Sequence, residues 1–370
     1  MSRVLLNALQ AGNRSGTGRY ATELARRLPA LDGDVEVFVL WPRHIPIPDC
    51  PETARERFIT VESLSSVARI GQDQFGIRNV RKRLGAQIVH YPANIGPLAP
   101  MTGIVLTIHD LTFIRFPEWY RWNRAAYYRA SVPSSVRQAE RIIADSESTA
   151  ADLRKLLKVK PERVDVIPLA VSAEFRPASE VQVTAAVERY HLPSAFFLYE
   201  GTLEPRKNLV RLIEAWSQIA ANCRFDLVIA GRTGWKCEPV EQAAAASPFA
   251  RRIHFPGFIE QEDLPAVMSA ARVFVWPSLY EGFGLPPLEA MACGTPVITS
   301  NTSSLPEVVG DAALTVNPED TAALARAMKA AADDQGLRTR LSAAGALRAA
   351  EFSWDYTARL TLASYCAAGA

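Results

Sequence analysis

No stretch of this chain is long and apolar enough to cross a membrane. Runs such as Val273–Pro277 fall far short of the ~20 apolar residues that a bilayer-spanning helix needs. Cysteine is scarce: Cys50, Cys223, Cys237, Cys293 and Cys366 make an odd set of five with no Cys-x-x-Cys pair. A disulfide framework and a cysteine-based zinc cluster are therefore excluded, and a reducing, cytoplasmic setting is expected. No secretion signal is expected either, since Val4-Leu5-Leu6 opens a strand-like run at once. No short-period repeat or low-complexity tract interrupts the chain. Neither sign of charge dominates: 41 Lys and Arg face 39 Asp and Glu, leaving +2, and no nucleic-acid partner is expected. With 48% hydrophobic and 22% charged residues, the composition excludes disorder and fibres.

What is present is length and alternation. The 370 residues suit two domains. Short runs rich in Val and Ile recur at Arg3–Asn7, Val35–Trp41, Gln87–Tyr91, Ile104–His109, Arg141–Asp145 and Val164–Ile167. A second series follows at Phe196–Tyr199, Phe225–Ala230, Ile253–Phe255, Val273–Trp276, Pro296–Thr299 and Ala313–Val316. Helical spacing fills several gaps, as in Gly18–Leu31, Leu209–Ala221, Glu262–Ala271, Leu288–Ala292 and Thr321–Ala332. Strands apolar on both faces and separated by helices predict parallel sheets with right-handed crossovers. The expected fold is therefore α/β, with two doubly wound Rossmann-like domains. The boundary is placed after Pro168-Leu169-Ala170-Val171, ahead of the proline-punctuated stretch 174–193. The charge is split: residues 1–172 hold 24 cations against 17 anions, and residues 173–370 hold 17 against 22. A basic first half suits a phosphate-bearing or anionic partner, although a chance asymmetry of solvated faces gives the same count.

Ligands of open parallel sheets bind at the carboxyl ends of strands, so the motifs there carry the chemistry. The most informative is Tyr280-Glu281-Gly282-Phe283-Gly284-Leu285-Pro286-Pro287-Leu288-Glu289, after one strand run and at the start of a helix. Its glycines permit a tight turn and close backbone approach, and a helix start suits a phosphate. Glu281 and Glu289 bracket that turn and can bind sugar or ribose hydroxyls, whereas eight-residue spacing alone means little, since Glu180 and Glu188 share it with nothing around them. A second motif, Tyr199-Glu200-Gly201-Thr202-Leu203-Glu204-Pro205-Arg206-Lys207-Asn208, turns at Gly201 and sets two cations at a strand end. Such cations stabilise charge that develops on a leaving diphosphate. His109, in Thr107-Ile108-His109-Asp110, ends another strand run, and Asp110 reads as structural support. His44, His90, His191 and His254 lie in no motif and read as structural.

Together these segments resemble the retaining glycosyltransferases of family 4, whose hallmark is the Glu-x7-Glu segment followed here by Ala290-Met291-Ala292-Cys293-Gly294-Thr295-Pro296-Val297-Ile298. The likeness runs over essentially the whole chain. It implies the GT-B fold, two Rossmann-like domains facing a cleft, and transfer of a sugar from a nucleotide diphosphate without a metal or cofactor held by the protein. The resemblance implies that Glu281 contacts donor-sugar hydroxyls, Gly284 and Leu285 offer backbone amides, and Glu289 holds the ribose. Arg206 and Lys207 would face the diphosphate, and His109 the donor sugar near the reacting carbon. Gly257-Phe258-Ile259 would hold the base through main-chain groups, with Ala230-Gly231-Arg232 nearby. The loop 12–20 would approach the donor phosphate; it has Ser15-Gly16 where the family often has a Gly-Gly pair, so Gly16 alone is carried over. The resemblance also makes the segment after Phe352-Ser353-Trp354 a helix that returns to the first domain. The domains are thus expected at 1–172 plus 355–370 and at 173–354.

The runs Gly201–Asn208 and Thr107–Phe113 are most similar to bacterial mannosyltransferases of surface-polysaccharide assembly, which use GDP-mannose; UDP-glucose and related donors are the alternative. A glycan or lipid-diphosphate-linked saccharide is the expected acceptor. Seven aromatics lie in Phe113–Tyr128 among Arg115, Arg121, Arg124 and Arg129, and Arg78, Arg81, Lys82 and Arg83 form a second basic cluster. Aromatic and cationic residues together suit an anionic membrane surface at the inner face of the plasma membrane; a core-facing helix with a solvated face would carry the same residues. A nicotinamide-dependent oxidoreductase would need Gly-x-Gly-x-x-Gly with a distal acid, which the Gly16 loop lacks. A non-catalytic sugar-binding protein need not keep Arg206, Lys207 and Glu281 together. Asp32-Gly33-Asp34 spells a metal-binding Asp-x-Asp, but its place between a helix and a strand reads as a turn.

Overall fold

The structure, a computed structural model, describes residues 2–13, 16–31, 33–62 and 76–370. Arg14 and Ser15 of the first glycine-containing loop, and Asp32 of the Asp-x-Asp turn, lie outside the described residues.

The chain forms two compact units. The first takes residues 1–118, 122–169 and 353–370; the second takes 119–121 and 170–352. The first unit holds seven parallel strands: β1 (Ser2–Asn7), β2 (Val35–Pro42), β3 (Phe58–Val61), β4 (Ile88–Tyr91), β5 (Ile104–Ile108), β6 (Arg141–Ala144) and β7 (Val164–Val166). Their order is β3-β2-β1-β4-β5-β6-β7, so the winding reverses between β1 and β4. Val4 pairs with Val37 on one side and with Ile88 on the other. Every residue of β4 and β5 is buried, which is why both read as largely apolar runs, interrupted only by His90 and Thr107. Helix 16–27 lays Tyr20, Leu24 and Ala25 into this core. The helix 147–157 starts where the Ser146 hydroxyl accepts from the Thr149 amide at 3.1 Å.

Strand β3 escaped the sequence reading. Its four residues are half-buried or exposed at the edge of the sheet, beside β2, and a short edge strand buries too little to show a continuous apolar run.

The C-terminal helix Trp354–Ala367 belongs to the first unit. Ser353 caps it, accepting from the Asp355 amide at 3.2 Å, so the chain enters the first unit at Ser353, and it leaves that unit after Leu169. Thr357 donates to the Pro168 carbonyl at 2.7 Å and Ser364 to the Asp165 carboxylate at 2.7 Å. Tyr365 is fully buried and meets His90 Nδ1 at 2.7 Å.

The second unit holds six parallel strands: β8 (Phe196–Glu200), β9 (Asp226–Ala230), β10 (Ile253–Gly257), β11 (Val273–Trp276), β12 (Val297–Ser300) and β13 (Leu314–Val316). Their order is β10-β9-β8-β11-β12-β13. The reversal falls between β8 and β11, where Phe197 pairs with Val273 and Leu198 with Phe274. Each unit is thus doubly wound, as the alternation predicted. Each has one crevice where adjacent strands send their loops in opposite directions, the usual ligand position in such sheets.

Candidate active site

The two richest motifs leave neighbouring strands at the reversal point of the second unit. After β8 the chain turns at Gly201 and makes a short 3-10 turn at Pro205–Lys207. After β11 it runs through Pro277–Phe283 into the helix Leu285–Ala292. The loops are sewn together by main-chain and amide contacts. Asn208, in the left-handed region at φ 62°, donates through Nδ2 to the carbonyls of Pro277 at 3.0 Å and Pro318 at 2.7 Å. The Leu279 amide donates to the Arg206 carbonyl at 2.8 Å. A positive φ suits Asn because its short polar side chain tolerates that conformation.

This framework brings Arg206, Lys207 and Glu281 together. Lys207 Nζ donates to Glu281 Oε1 at 2.6 Å, and the Ser278 hydroxyl donates to the same oxygen at 2.6 Å. Arg206 donates to Glu281 Oε2 and pairs through Nε with Glu204 at 2.5 Å. Lys207, Glu204 and Glu281 are all buried, at 5%, 6% and 7% exposure. Burial by itself would raise the Glu281 carboxyl, but Arg206, Lys207 and the bonds from Lys207 and Ser278 outweigh it and hold it down to about 2. Burial and the neighbouring Arg206 charge pull Lys207 below the usual lysine range, against the opposing effect of Glu281 and Glu204. A carboxylate so fully engaged is a clamp that holds both cations in place.

The remaining pieces of that crevice take their places around it. Gly284 caps the helix Leu285–Ala292 at φ 123°, and a Cβ there would come within 2.9 Å of Leu305 Cδ2. Pro286 and Pro287 have no N–H, so Gly284 and Leu285 are the amide donors at this helix start. The Ser304 hydroxyl reaches the carbonyls of Glu281 at 3.0 Å and Phe283 at 2.6 Å, holding the turn. Glu289 lies in the second turn of that helix at 2% exposure. Gly201 and Gly257 close the ends of β8 and β10: the Gly201 amide donates to the Ala230 carbonyl at 3.1 Å, and the Gly257 carbonyl accepts from Gly231 at 2.7 Å. Phe258 is half-buried with the Arg232 guanidinium 4.3 Å above its ring, and Ile259 is buried.

In the first unit, His109 follows β5. Its amide donates to Asn94 Oδ1 at 2.8 Å. The ring meets Asp145 Oδ2 through Nδ1 at 2.6 Å and the Pro92 carbonyl through Nε2 at 3.0 Å. With Asp145 ionised, carboxylate and carbonyl oxygens both accept, and the ring donates through both nitrogens as an imidazolium. Burial would lower its pKa, but the charge and hydrogen bond of Asp145 and the Pro92 carbonyl outweigh burial and raise it. Asp110 accepts from the amide and hydroxyl of Thr112 at 3.0 and 2.5 Å, starting the short helix Thr112–Arg115. Gly16 is exposed at the start of helix 16–27.

Sequence reasoning missed Asp145, Glu204, Ser278 and Trp276. Asp145 and Ser278 stand just after strand ends, which was the available signal; nothing in one sequence tells which neighbour a buried carboxylate will face. Of the second basic cluster, Arg78 donates to the carbonyls of Ala99 and Pro100, and Arg81 to those of Ala86, Gln87 and Thr102. Lys82 and Arg83 are exposed. Among the described residues no group of three or more His, Cys, Asp or Glu gathers as a metal site.

Comparison with known proteins follows the same division. A family model described as glycosyltransferase family 4 matches residues 14–175, and one described as glycosyl transferases group 1 matches residues 187–348. The O-antigen chain mannosyltransferase B of Escherichia coli is 30% identical over 365 residues, covering 95% of this chain and 96% of that protein. The chain belongs to glycosyltransferase family 4. A second relative of this glycosyltransferase, the serotype-specific mannosyltransferase WbdA of Escherichia coli, is 36% identical over 269 residues, 70% of this chain and 33% of that protein. Among solved structures, sucrose-phosphate synthase from Thermosynechococcus elongatus superposes with a TM-score of 0.76 at 20% identity, covering 99% of this chain and 98% of that one. That likeness shows the fold, which is GT-B.

Proposed function

We propose that this glycosyltransferase moves mannose from GDP-mannose, with retention of configuration, to a glycan or lipid-diphosphate-linked saccharide in O-antigen or related polysaccharide assembly. The observation that carries the reading is the buried pair Lys207 and Glu281 with the half-buried Arg206 at the reversal point of the second sheet. As the bond between the anomeric carbon and the diphosphate oxygen breaks, negative charge grows on the leaving group. Cations already fixed there stabilise it without reorganising, worth about 2–4 kcal/mol each. The reading assigns that neutralisation to Arg206 and Lys207 and needs no protein-held metal.

Glu281 accepts from Lys207, Ser278 and Arg206, which suits a clamp and not a covalent nucleophile. The acceptor hydroxyl therefore attacks from the face the diphosphate leaves: a new oxygen–carbon bond forms, the carbon–diphosphate bond breaks, and the hydroxyl proton passes to the departing phosphate. Mannose as the sugar is supported by the two relatives named above as mannosyltransferases. On the acceptor side, the helix Trp122–Gln138 supports an anionic membrane surface as partner: Trp122 is 83% exposed, Tyr127 is 42% exposed, and Arg124 and Arg129 are exposed beside them.

The test is turnover of GDP-mannose against UDP-glucose, with melting shifts for GDP, UDP and NAD. GDP-mannose is consumed faster, GDP raises the melting temperature more than UDP does, and NAD has no effect. Faster turnover of UDP-glucose overturns the donor. A shift with NAD alone overturns the reaction class.

A further inference from the structure

Lys207 is held by more than its carboxylate. Its Nζ lies 4.1 Å from the centroid of the Trp276 indole, and Trp276, the last residue of β11, is 1% exposed. The Tyr199 ring stacks on the same indole at 5.1 Å and 12°, and Phe274 stacks at 5.9 Å and 16°. The Trp276 carbonyl accepts from the Thr299 hydroxyl at 2.9 Å, fixing the backbone beneath the ring. A Cβ on Gly201 would sit 3.0 Å from both the indole and the Tyr199 hydroxyl, so the turn after β8 is packed against this stack.

An indole is a costly choice at this position. Its Nε1–H is buried with no hydrogen-bond partner among the described residues, a deficit that phenylalanine or leucine would not carry. What indole offers over those residues is the strongest aromatic face for a cation. We infer that Trp276 is a positioning residue for the Lys207 ammonium: the indole face and Glu281 fix the charge from two sides and leave its third N–H for a phosphate of the donor. A lysine without such a face is a flexible point charge. Here two rigid strand ends set its place before the ligand arrives.

The inference rests on the diphosphate reading of Arg206 and Lys207, and its test separates the two. Affinity for GDP is measured by calorimetry in four full-length proteins: wild type, Trp276→Leu, Lys207→Met and the double variant, each checked for a cooperative melt. Lys207→Met weakens GDP, and Trp276→Leu weakens it about 3- to 30-fold. In the Lys207→Met background the change at Trp276 weakens it no further, and Trp276→Phe, which keeps an aromatic face, recovers most of the loss. Unchanged affinity in Lys207→Met overturns the diphosphate reading and the inference with it. A Lys207-dependent affinity with an equal Trp276 loss in both backgrounds, or no Trp276 loss, overturns the inference alone. Should Trp276→Leu fail to fold, Trp276→Phe carries the test: its weaker face costs about 2-fold with Lys207 present, and an equal loss with Lys207→Met overturns the inference.

Discussion

His90 and His109 stand on or just beyond neighbouring strands and differ in charge state. His90 sits between the hydroxyls of Tyr365 and Thr107, at 2.7 and 2.8 Å, and hydroxyls can donate or accept, so a neutral ring is satisfied. Burial, with a smaller push from His109, lowers its pKa to about 3. His109 faces a carboxylate and a carbonyl and is charged. Its raised pKa means a stabilising contribution that is complete below the unfolded value near 6.5 and fades as pH rises through the folded one. Asp145→Asn removes that support while keeping an acceptor. The His109 ring, followed by NMR, then titrates near or below 6.5, and kcat gains an ionisation there that the wild type lacks. Stability falls on the order of 2 kcal/mol, and an unchanged His109 titration would refute this account. Glu281 works with the opposite sign. Its folded pKa of about 2 lies below the 4.5 of a free side chain, so its contribution is present above 4.5 and is lost as pH falls toward 2. That loss is on the order of 3 kcal/mol. Glu281→Gln leaves the buried Lys207 without its carboxylate and Arg206 still paired with Glu204, abolishes transfer, and flattens stability between pH 4.5 and 2 in acid-titrated melts.

At the scale of elements, the C-terminal helix shows how docking depends on a few polar contacts. Its burial of Trp354 and Tyr365 joins it to helix 16–27 and the first sheet, with Tyr20 at 6.2 Å from the Trp354 ring. The chain of Tyr365, His90, Thr107 and Tyr20 is bonded throughout, closing with Tyr20 to Thr107 at 3.0 Å. Tyr365→Phe leaves His90 Nδ1 unpaired in a dry core and costs about 1–3 kcal/mol, read as a lower urea midpoint with the KM for donor unchanged. A shifted donor KM would mean that the helix also shapes the site. Spacing along the chain names no docking partner for this helix, because its partners lie more than 180 residues away. The helix Trp122–Gln138 has no apolar stripe to mark it: Pro133 lies inside it and its first two turns bury only Ala125.

For the whole molecule, the uneven charge and that exposed helix end belong to one argument. Residues 1–172 carry the excess of cations, and Trp122, Arg124, Tyr127 and Arg129 project from the first unit. A cation close to an anionic bilayer is worth about 1 kcal/mol. Replacing Arg124 and Arg129 by serine thus weakens co-sedimentation with phosphatidylserine vesicles about 30-fold at low salt. Donor turnover on a water-soluble acceptor stays as it was. Equal sedimentation of variant and wild type rules out the membrane as partner. Residues 119–121 pack with the second unit instead: Trp235 Nε1 donates to the Trp119 carbonyl at 2.6 Å and stacks on Tyr120. Three residues in the middle of the first half join the second unit, a division that no composition shift foretold.

By itself the sequence determined two doubly wound parallel sheets and the strand ends that carry Glu281, Arg206, Lys207 and His109. Those features are local: apolar runs of strand length, glycine where the backbone turns, charge where a strand stops. Only the tertiary structure decided the partners. That Glu281 clamps both cations, that an indole backs Lys207, that Asp145 charges one histidine while Tyr365 and Thr107 keep another neutral, all depend on which strand lies beside which. Contacts between residues 17 to 275 positions apart leave no periodicity to read, because burial and pairing are properties of the packed crevice and not of the neighbouring residues in the chain.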